Sequence, residues 1–254
     1  MRPHYRDSGT GQPLLLVHGW GGDSRVWDPI PLPGYRVVAV DLRGHGRSPV
    51  PDEGYRPADL AADLAELATD LRLGPVVAIG HSMGAQVVTA LAVEHPGTVD
   101  ALVVVDPAYG ADAAEERLFE ERLSAVREGG AAAVSHLGDL PPDVRRQFLA
   151  TPGHVLAKCY AGMYTDPGAF GARPAAERYL RRRACPVLCL RSLAEPAAWE
   201  AALGGHPLSR VVVWAGTGHF LHLERPAAFA ALLTRWLSTL EGDVRGWRRG
   251  GIPS

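Results

Sequence analysis

Cysteine, lysine and long apolar runs are scarce in this sequence, and each shortage excludes something. Three cysteines in 254 residues, Cys159, Cys185 and Cys189, are an odd, sparse set, so no disulfide framework is expected. Cys185 and Cys189 flank an apolar run without the further ligands of a zinc site, and all three read as reduced core thiols. Of the 26 basic residues only Lys158 is a lysine; the arginines are scattered, and the run Arg181, Arg182, Arg183 reads as a solvated helix end. Against 28 acidic residues this leaves a net charge of −2, which gives no electrostatic reason to expect nucleic acid or an anionic membrane as partner. No apolar stretch approaches the ~18 residues of a membrane span. Met1 leads into Arg2-Pro3-His4-Tyr5 without the apolar core of a secretion signal, so a cytoplasmic location is expected. What remains, 46% hydrophobic and 21% charged residues, is the composition of a folded globular chain, and 254 residues allow one large domain or at most two small ones.

Over the first 106 residues, short apolar runs alternate with helical patterns. Leu14 to Val17, Val37 to Val40, Val76 to Ile79 and Leu102 to Val105 are continuous runs, as in strands of a parallel sheet covered on both faces. Leu60, Leu64, Leu67 and Leu71 form the one-sided stripe of a helix that Pro57 begins and Gly74-Pro75 ends. Met83 to His95 reads as a second helix, stopped by Pro96-Gly97. The chain is therefore α/β, with a mostly parallel sheet flanked by helices.

Residues 107–184 break this rhythm. They carry no convincing strand and read as helical pieces such as Ala113 to Arg127 and Asp143 to Leu149, a helical lid inserted into the sheet. Pro186 to Leu190 and Arg210 to Trp214 resume the strands, and Pro226 to Leu240 closes the chain as a helix. The core is thus expected at 1–106 and 185–240, the lid at 107–184, and a loose, Gly- and Arg-rich tail at 241–254.

Gly80-His81-Ser82-Met83-Gly84 sits between an apolar run and a helix, the strand-turn-helix context of a G-x-S-x-G nucleophile elbow. A serine on so tight a turn needs small neighbours at ±2, and both are glycine. His18-Gly19-Trp20-Gly21-Gly22 follows the first apolar run and can turn the backbone N–H of Trp20 toward that serine. With Met83 N–H it makes a two-donor oxyanion hole. A phosphate-binding reading of the same loop lacks both the Lys-Ser/Thr of a P-loop and G-x-G-x-x-G spacing. His219, in Gly218-His219-Phe220 after the last strand, would face the crevice at the carboxyl edge of the sheet, whereas His222 reads as structural. The side chains of His18 and His81 are expected to support their loops.

With these segments, together with Asp41-Leu42-Arg43-Gly44-His45-Gly46-Arg47-Ser48 and the stretch from Gly218 to Pro226, the chain resembles the α/β-hydrolase superfamily in its lidded serine esterase and lactonase branch. The resemblance spans about residues 3–240 and implies a Ser82–His219–carboxylate triad. It also implies a structural role for Asp41 to Ser48. The triad acid departs from the family's usual Gly-x-x-Asp-Pro loop, which here reads Ser192-Leu193-Ala194-Glu195-Pro196. Glu195 stands at the usual place; Asp106, at the end of the strand after the nucleophile helix, stands where a minority of such families carry the acid. Both remain candidates, with Asp106 narrowly preferred because the loop around Glu195 has lost its glycine.

The implied reaction is hydrolysis of an ester or lactone of a mid-sized apolar substrate through an acyl-enzyme, without metal or organic cofactor. Lid aromatics Tyr109, Tyr160, Tyr164 and Phe170, with Trp20, are candidates to contact that substrate. Carbon–carbon bond hydrolases and thioesterases share the triad, and a hydrolase-derived receptor is the rival of a different class. Dehalogenases and epoxide hydrolases need an aspartate where Ser82 stands.

Overall fold

The computed structural model describes residues 1–134 and 140–247, with the side chains of Val134 and 241–247 left out of the description. Seven strands form one sheet: β1 (Tyr5–Gly9), β2 (Gln12–Val17), β3 (Tyr35–Val40), β4 (Val76–His81), β5 (Val99–Val105), β6 (Val187–Arg191) and β7 (Arg210–Val213). Their order is β1-β3-β2-β4-β5-β6-β7, and every pairing is parallel except β1 with β3. The expectation of a mostly parallel α/β sheet is met, and β1 is an addition. Its Tyr-Arg-Asp-Ser-Gly sequence is polar because it pairs only at the sheet edge.

Side chains alternate across the sheet into two cores. Leu15, Val17, Ala78, Leu102 and Val104 pack on one face against α1 (Pro57–Asp70) and α2 (Met83–Glu94). Leu14, Leu16, Ile79, Val103 and Val105 pack on the other, against Phe229, Leu233, Trp236 and Leu237 of the closing helix. In α1, Leu60, Leu64 and Leu67 are buried, and Pro57 occupies the first turn, where its missing N–H costs no hydrogen bond.

Between β5 and β6 the described residues form six helices: α3 (Ala113–Glu116), α4 (Phe119–Gly129), α5 (Ala131–Val134), α6 (Pro142–Ala150), α7 (Gly153–Tyr164) and α8 (Arg173–Leu180). The single helix expected over Ala113 to Arg127 is two. Asp112 caps α3, which buries nothing, and a turn at Arg117-Leu118 redirects the chain so that Phe119, Leu123 and Val126 of α4 face inward. Three more helices follow: α9 (Ala194–Ala202), α10 (Leu221–Glu224) and α11 (Pro226–Trp247). The closing helix thus runs to Trp247, so residues 241–247 are helical rather than part of a loose tail, and 248–254 lie outside the described residues. No described helix is long and apolar enough to cross a membrane. The three cysteines are free thiols. Arg183, by contrast, is not solvated: its side chain is 7% exposed and bonded to Leu180 O, the Tyr109 hydroxyl and Glu200.

Candidate active site

Four segments meet at the carboxyl edge of the parallel strands, where ligand crevices form in such sheets. The loop 18–22 follows β2, Ser82 follows β4, Asp106 follows β5, and His219 lies between β7 and α10. Ser82 has φ 52° and ψ −114°, and Asp106 has φ 40°; both hold a left-handed backbone that a non-glycine residue adopts only under constraint. The constraint is a net of main-chain bonds. Ser82 N–H donates to Val105 O at 2.9 Å, Ala108 N–H to Ser82 O at 3.1 Å, and Asp106 N–H to Leu190 O at 2.8 Å. The flanking glycines are dictated by contact. A Cβ on Gly80 would lie 2.3 Å from Gly84 O, and one on Gly84 would lie 2.4 Å from Val17 O.

His219 Nδ1 and Asp106 Oδ2 are 2.8 Å apart. The other Asp106 contacts come from Ser192, whose N–H donates at 2.9 Å and whose hydroxyl donates at 3.1 Å. Burial by itself would raise the Asp106 pKa. The hydrogen bond and charge of His219, with the Ser192 donors, outweigh it and hold the carboxyl below its ordinary range. Glu195, the other candidate acid, is not at the site. Its side chain is 68% exposed and accepts from Arg173 Nη2 at 2.6 and 2.7 Å, because Ala194, Glu195 and Pro196 form the first turn of α9 rather than a loop reaching toward His219.

The glycine loop passes close to the serine: a Cβ on Gly19 would lie 3.3 Å from Ser82 Cβ. Among the described residues, neither Trp20 N–H nor Met83 N–H donates to a protein acceptor, so both are free to bind an oxyanion. His18 holds this loop, accepting from Leu42 N–H on Nε2 at 3.0 Å and donating from Nδ1 to Gly19 O at 2.7 Å. His81 donates from Nε2 to the backbone carbonyl of His219 at 3.0 Å, tying the Ser82 turn to the His219 loop. Burial, reinforced by neighbouring His222 and His219, keeps the His81 ring neutral, with its pKa well below the usual imidazole value. His222 is fully buried beside His81 and Trp27 and makes no hydrogen bond among the described residues, in keeping with a structural reading. Asp41 accepts from Ser24 N–H and Arg47 N–H and closes its own loop, away from the serine.

Ser82 and His219 line one cavity of about 150 Å³, walled by Trp20, Val26, Leu140, Val144, Phe148 and Phe220. Of the aromatics singled out in the sequence, only Trp20 lines it. Tyr109 is buried on Glu200, Phe170 stacks on Tyr179 at 4.1 Å, and Tyr160 and Tyr164 pack into the helical segment. Sequence reasoning missed Phe148, which meets Trp20 edge-on at 5.1 Å, and Ser192, whose one visible signal was its place directly after β6. The helical segment is bonded to the glycine loop: Trp20 Nε1 donates to Leu156 O, Asp23 N–H to Gln147 Oε1, and Thr151 Oγ1 to Gly21 O.

This fold is that of an α/β hydrolase, and the sequence agrees: the chain belongs to the alpha/beta hydrolase family, whose model matches residues 14–232. It is 36% identical over 258 residues to the 2-(acetamidomethylene)succinate hydrolase of Mesorhizobium japonicum, covering 91% of this chain and 90% of that one. With the (E)-2-((N-methylformamido)methylene)succinate hydrolase of Acinetobacter baylyi it shares 32% identity over 129 residues, about half of each chain. A thermophilic esterase from Thermogutta terrifontis superposes with a TM-score of 0.77 at 27% identity, over 93% of both chains.

Proposed function

We propose that this protein hydrolyses a carboxylic ester or lactone through an acyl-enzyme on Ser82. The observation that carries the proposal is the 2.8 Å contact of His219 Nδ1 with Asp106, on an imidazole that lines the same cavity as Ser82. With Nδ1 engaged by the carboxylate, Nε2 is the basic nitrogen left to take the serine proton as Oγ attacks the carbonyl. The developing oxyanion is met by Trp20 and Met83 N–H, donors without protein partners among the described residues. The imidazolium then protonates the leaving oxygen, water attacks the acyl-enzyme, and the same nitrogen serves as base again. Asp106, held ionised, stabilises the imidazolium without taking its proton.

The cavity supports an uncharged, apolar group on one side of the scissile carbonyl. Its described lining holds no arginine or lysine, so it offers no counter-ion for a succinate-type carboxylate such as the related hydrolases' names carry. At about 150 Å³ it suits a compact group, smaller than the mid-sized substrate expected from the sequence. The similarity to the thermophilic esterase favours the same bond type.

The test is multiple turnover of p-nitrophenyl butyrate by the wild type and its loss in Ser82→Ala. The variant should fold normally, because alanine meets the size demand of the turn, and kcat should fall by about 10⁴-fold or more. A variant retaining a few per cent of wild-type kcat would defeat the serine mechanism, and a wild type that stops after one turnover would favour a receptor.

A further inference from the structure

A second cavity, of about 610 Å³, lies between the C-terminal ends of α8 and α9 and the first residues of β7. It sits beside the amino-terminal parts of β6 and β7, whereas Ser82, Asp106 and His219 follow strand carboxyl ends, so it is not an extension of the candidate active site. Its floor holds a charge imbalance. Arg183 and Arg191, whose side chains are 7% and 6% exposed, share one carboxylate, Glu200, itself 2% exposed.

Glu200 is saturated. Oε1 accepts from Tyr109 Oη at 2.8 Å and Arg183 Nη1 at 3.3 Å, and Oε2 accepts from Cys189 Sγ at 3.0 Å and from Arg191 Nη2 and Nε at 2.9 and 3.2 Å. Arg191 is also engaged at every nitrogen, Nη1 donating to Pro107 O and Nη2 to Tyr109 O as well. Arg183 is not. Its Nε reaches Leu180 O and its Nη1 reaches Tyr109 Oη and Glu200, but Nη2 has no acceptor among the described residues, and the residue borders the cavity. Two guanidinium groups against one carboxylate leave one positive charge in excess at the cavity, where an anion could complete it.

The remaining polar lining repeats the same sign. His206 accepts from Leu208 N–H on Nδ1, which leaves the proton on Nε2 as a donor; Ser209 Oγ accepts from Val187 N–H, which leaves its hydroxyl hydrogen free. Arg181 and Arg210 add two further cations at the edge. The walls are apolar, made by Leu180, Val187, Leu203 and Val211.

We propose that this cavity binds a small organic monoanion, a carboxylate on an apolar body, with its charge on Arg183 and its body along those walls. The inference does not depend on what Ser82 does.

The test uses n-octanoate and inorganic phosphate as probes, in thermal denaturation and calorimetric titration of the full chain. Octanoate should bind saturably and raise the wild-type Tm by about 5 °C at a hundredfold excess over Kd, and phosphate should not. Two variants separate charge from space. Arg183→Met leaves Arg191 and Glu200 as a matched pair, so without ligand it should melt no lower than wild type. Leu203→Trp fills the cavity and leaves every charge in place. Each should weaken octanoate binding at least tenfold. The proposal is overturned if octanoate does not bind the wild type, or if it binds Leu203→Trp unchanged, since it would then sit elsewhere. Equal stabilisation by phosphate would refute the organic class, and a markedly lower Tm for unliganded Arg183→Met would show that Arg183 is already compensated.

Discussion

Ser82 and Asp106 each hold a left-handed backbone at the end of neighbouring strands, and each is pinned by a main-chain bond to the strand beside it. Such strain, on the order of 1–3 kcal/mol per residue, persists because the sheet fixes both ends of each turn. The turn at Asp106 turns its carboxylate toward His219 and Ser192, while Glu195 is spent on Arg173 at the surface. Two nearly isosteric substitutions should therefore behave differently. Asp106→Asn removes the charge that fixes the imidazole tautomer and should cost up to about 10⁴ in kcat. Glu195→Gln should stay within about tenfold of wild type, since an exposed ion pair contributes little. Steady-state kinetics on one ester decides the matter; a collapse of Glu195→Gln with Asp106→Asn intact would reverse the assignment.

At the scale of elements, the turn at Ser82 is a packing problem before it is a chemical one. α2 crosses β2 so closely that Gly84 touches the carbonyls of Val17 and His18, where an added methyl would meet oxygen at 2.4 and 2.5 Å. Gly84→Ala should destabilise the fold by about 3 kcal/mol, read as a lower urea midpoint, whereas Ser82→Ala should leave the midpoint nearly unchanged. The elements that carry Ser82 were legible because strands buried on both faces are unbroken apolar runs, and because a serine between two glycines marks the turn. Other features were hidden for definite reasons. Glu195-Pro196 reads equally as a loop or as a helix's first turn, since proline suits both. Phe148 was visible as helical, but its place against Trp20 depends on the bare hydrogen of Gly21, whose Cβ would lie 2.1 Å from the Phe148 ring. Glu200 meets Tyr109 across 91 residues and Arg183 across 17, and no local pattern announces those pairings.

For the whole molecule, four buried histidines set the response to acid. Burial first, then His18, pushes the His45 pKa down to about 3, and burial with His219 does the same to His222, while His81 and His18 are also lowered. Unfolding frees these rings to take up protons near their ordinary pKa of about 6.5. The unfolded chain thus binds more protons than the folded one between about pH 6.5 and 3, and stability falls as pH drops through 6.5 rather than rising. Each such ring contributes about 1.4 kcal/mol per pH unit in that window. The free energy of urea unfolding measured at pH 7.5, 6.5 and 5.5 should decline with the uptake of about three protons, and His222→Phe should remove about one of them. A flat profile would mean the rings are protonated in the folded state.

The chain passes from β5 to β6 once, and that single passage has a use beyond the native molecule. A break at Gly129-Gly130, where α4 ends, would leave β1 to β5, the glycine loop, Ser82 and Asp106 on one polypeptide, and β6, β7 and His219 on the other. The two would rejoin along the parallel seam that pairs Leu102 with Val187 and Val105 with Leu190. Ester turnover then becomes a reporter of complementation: each fragment alone should be inert, and the rate of regained activity should scale with the product of the two fragment concentrations. Turnover by the first fragment alone would mean that His219 is dispensable.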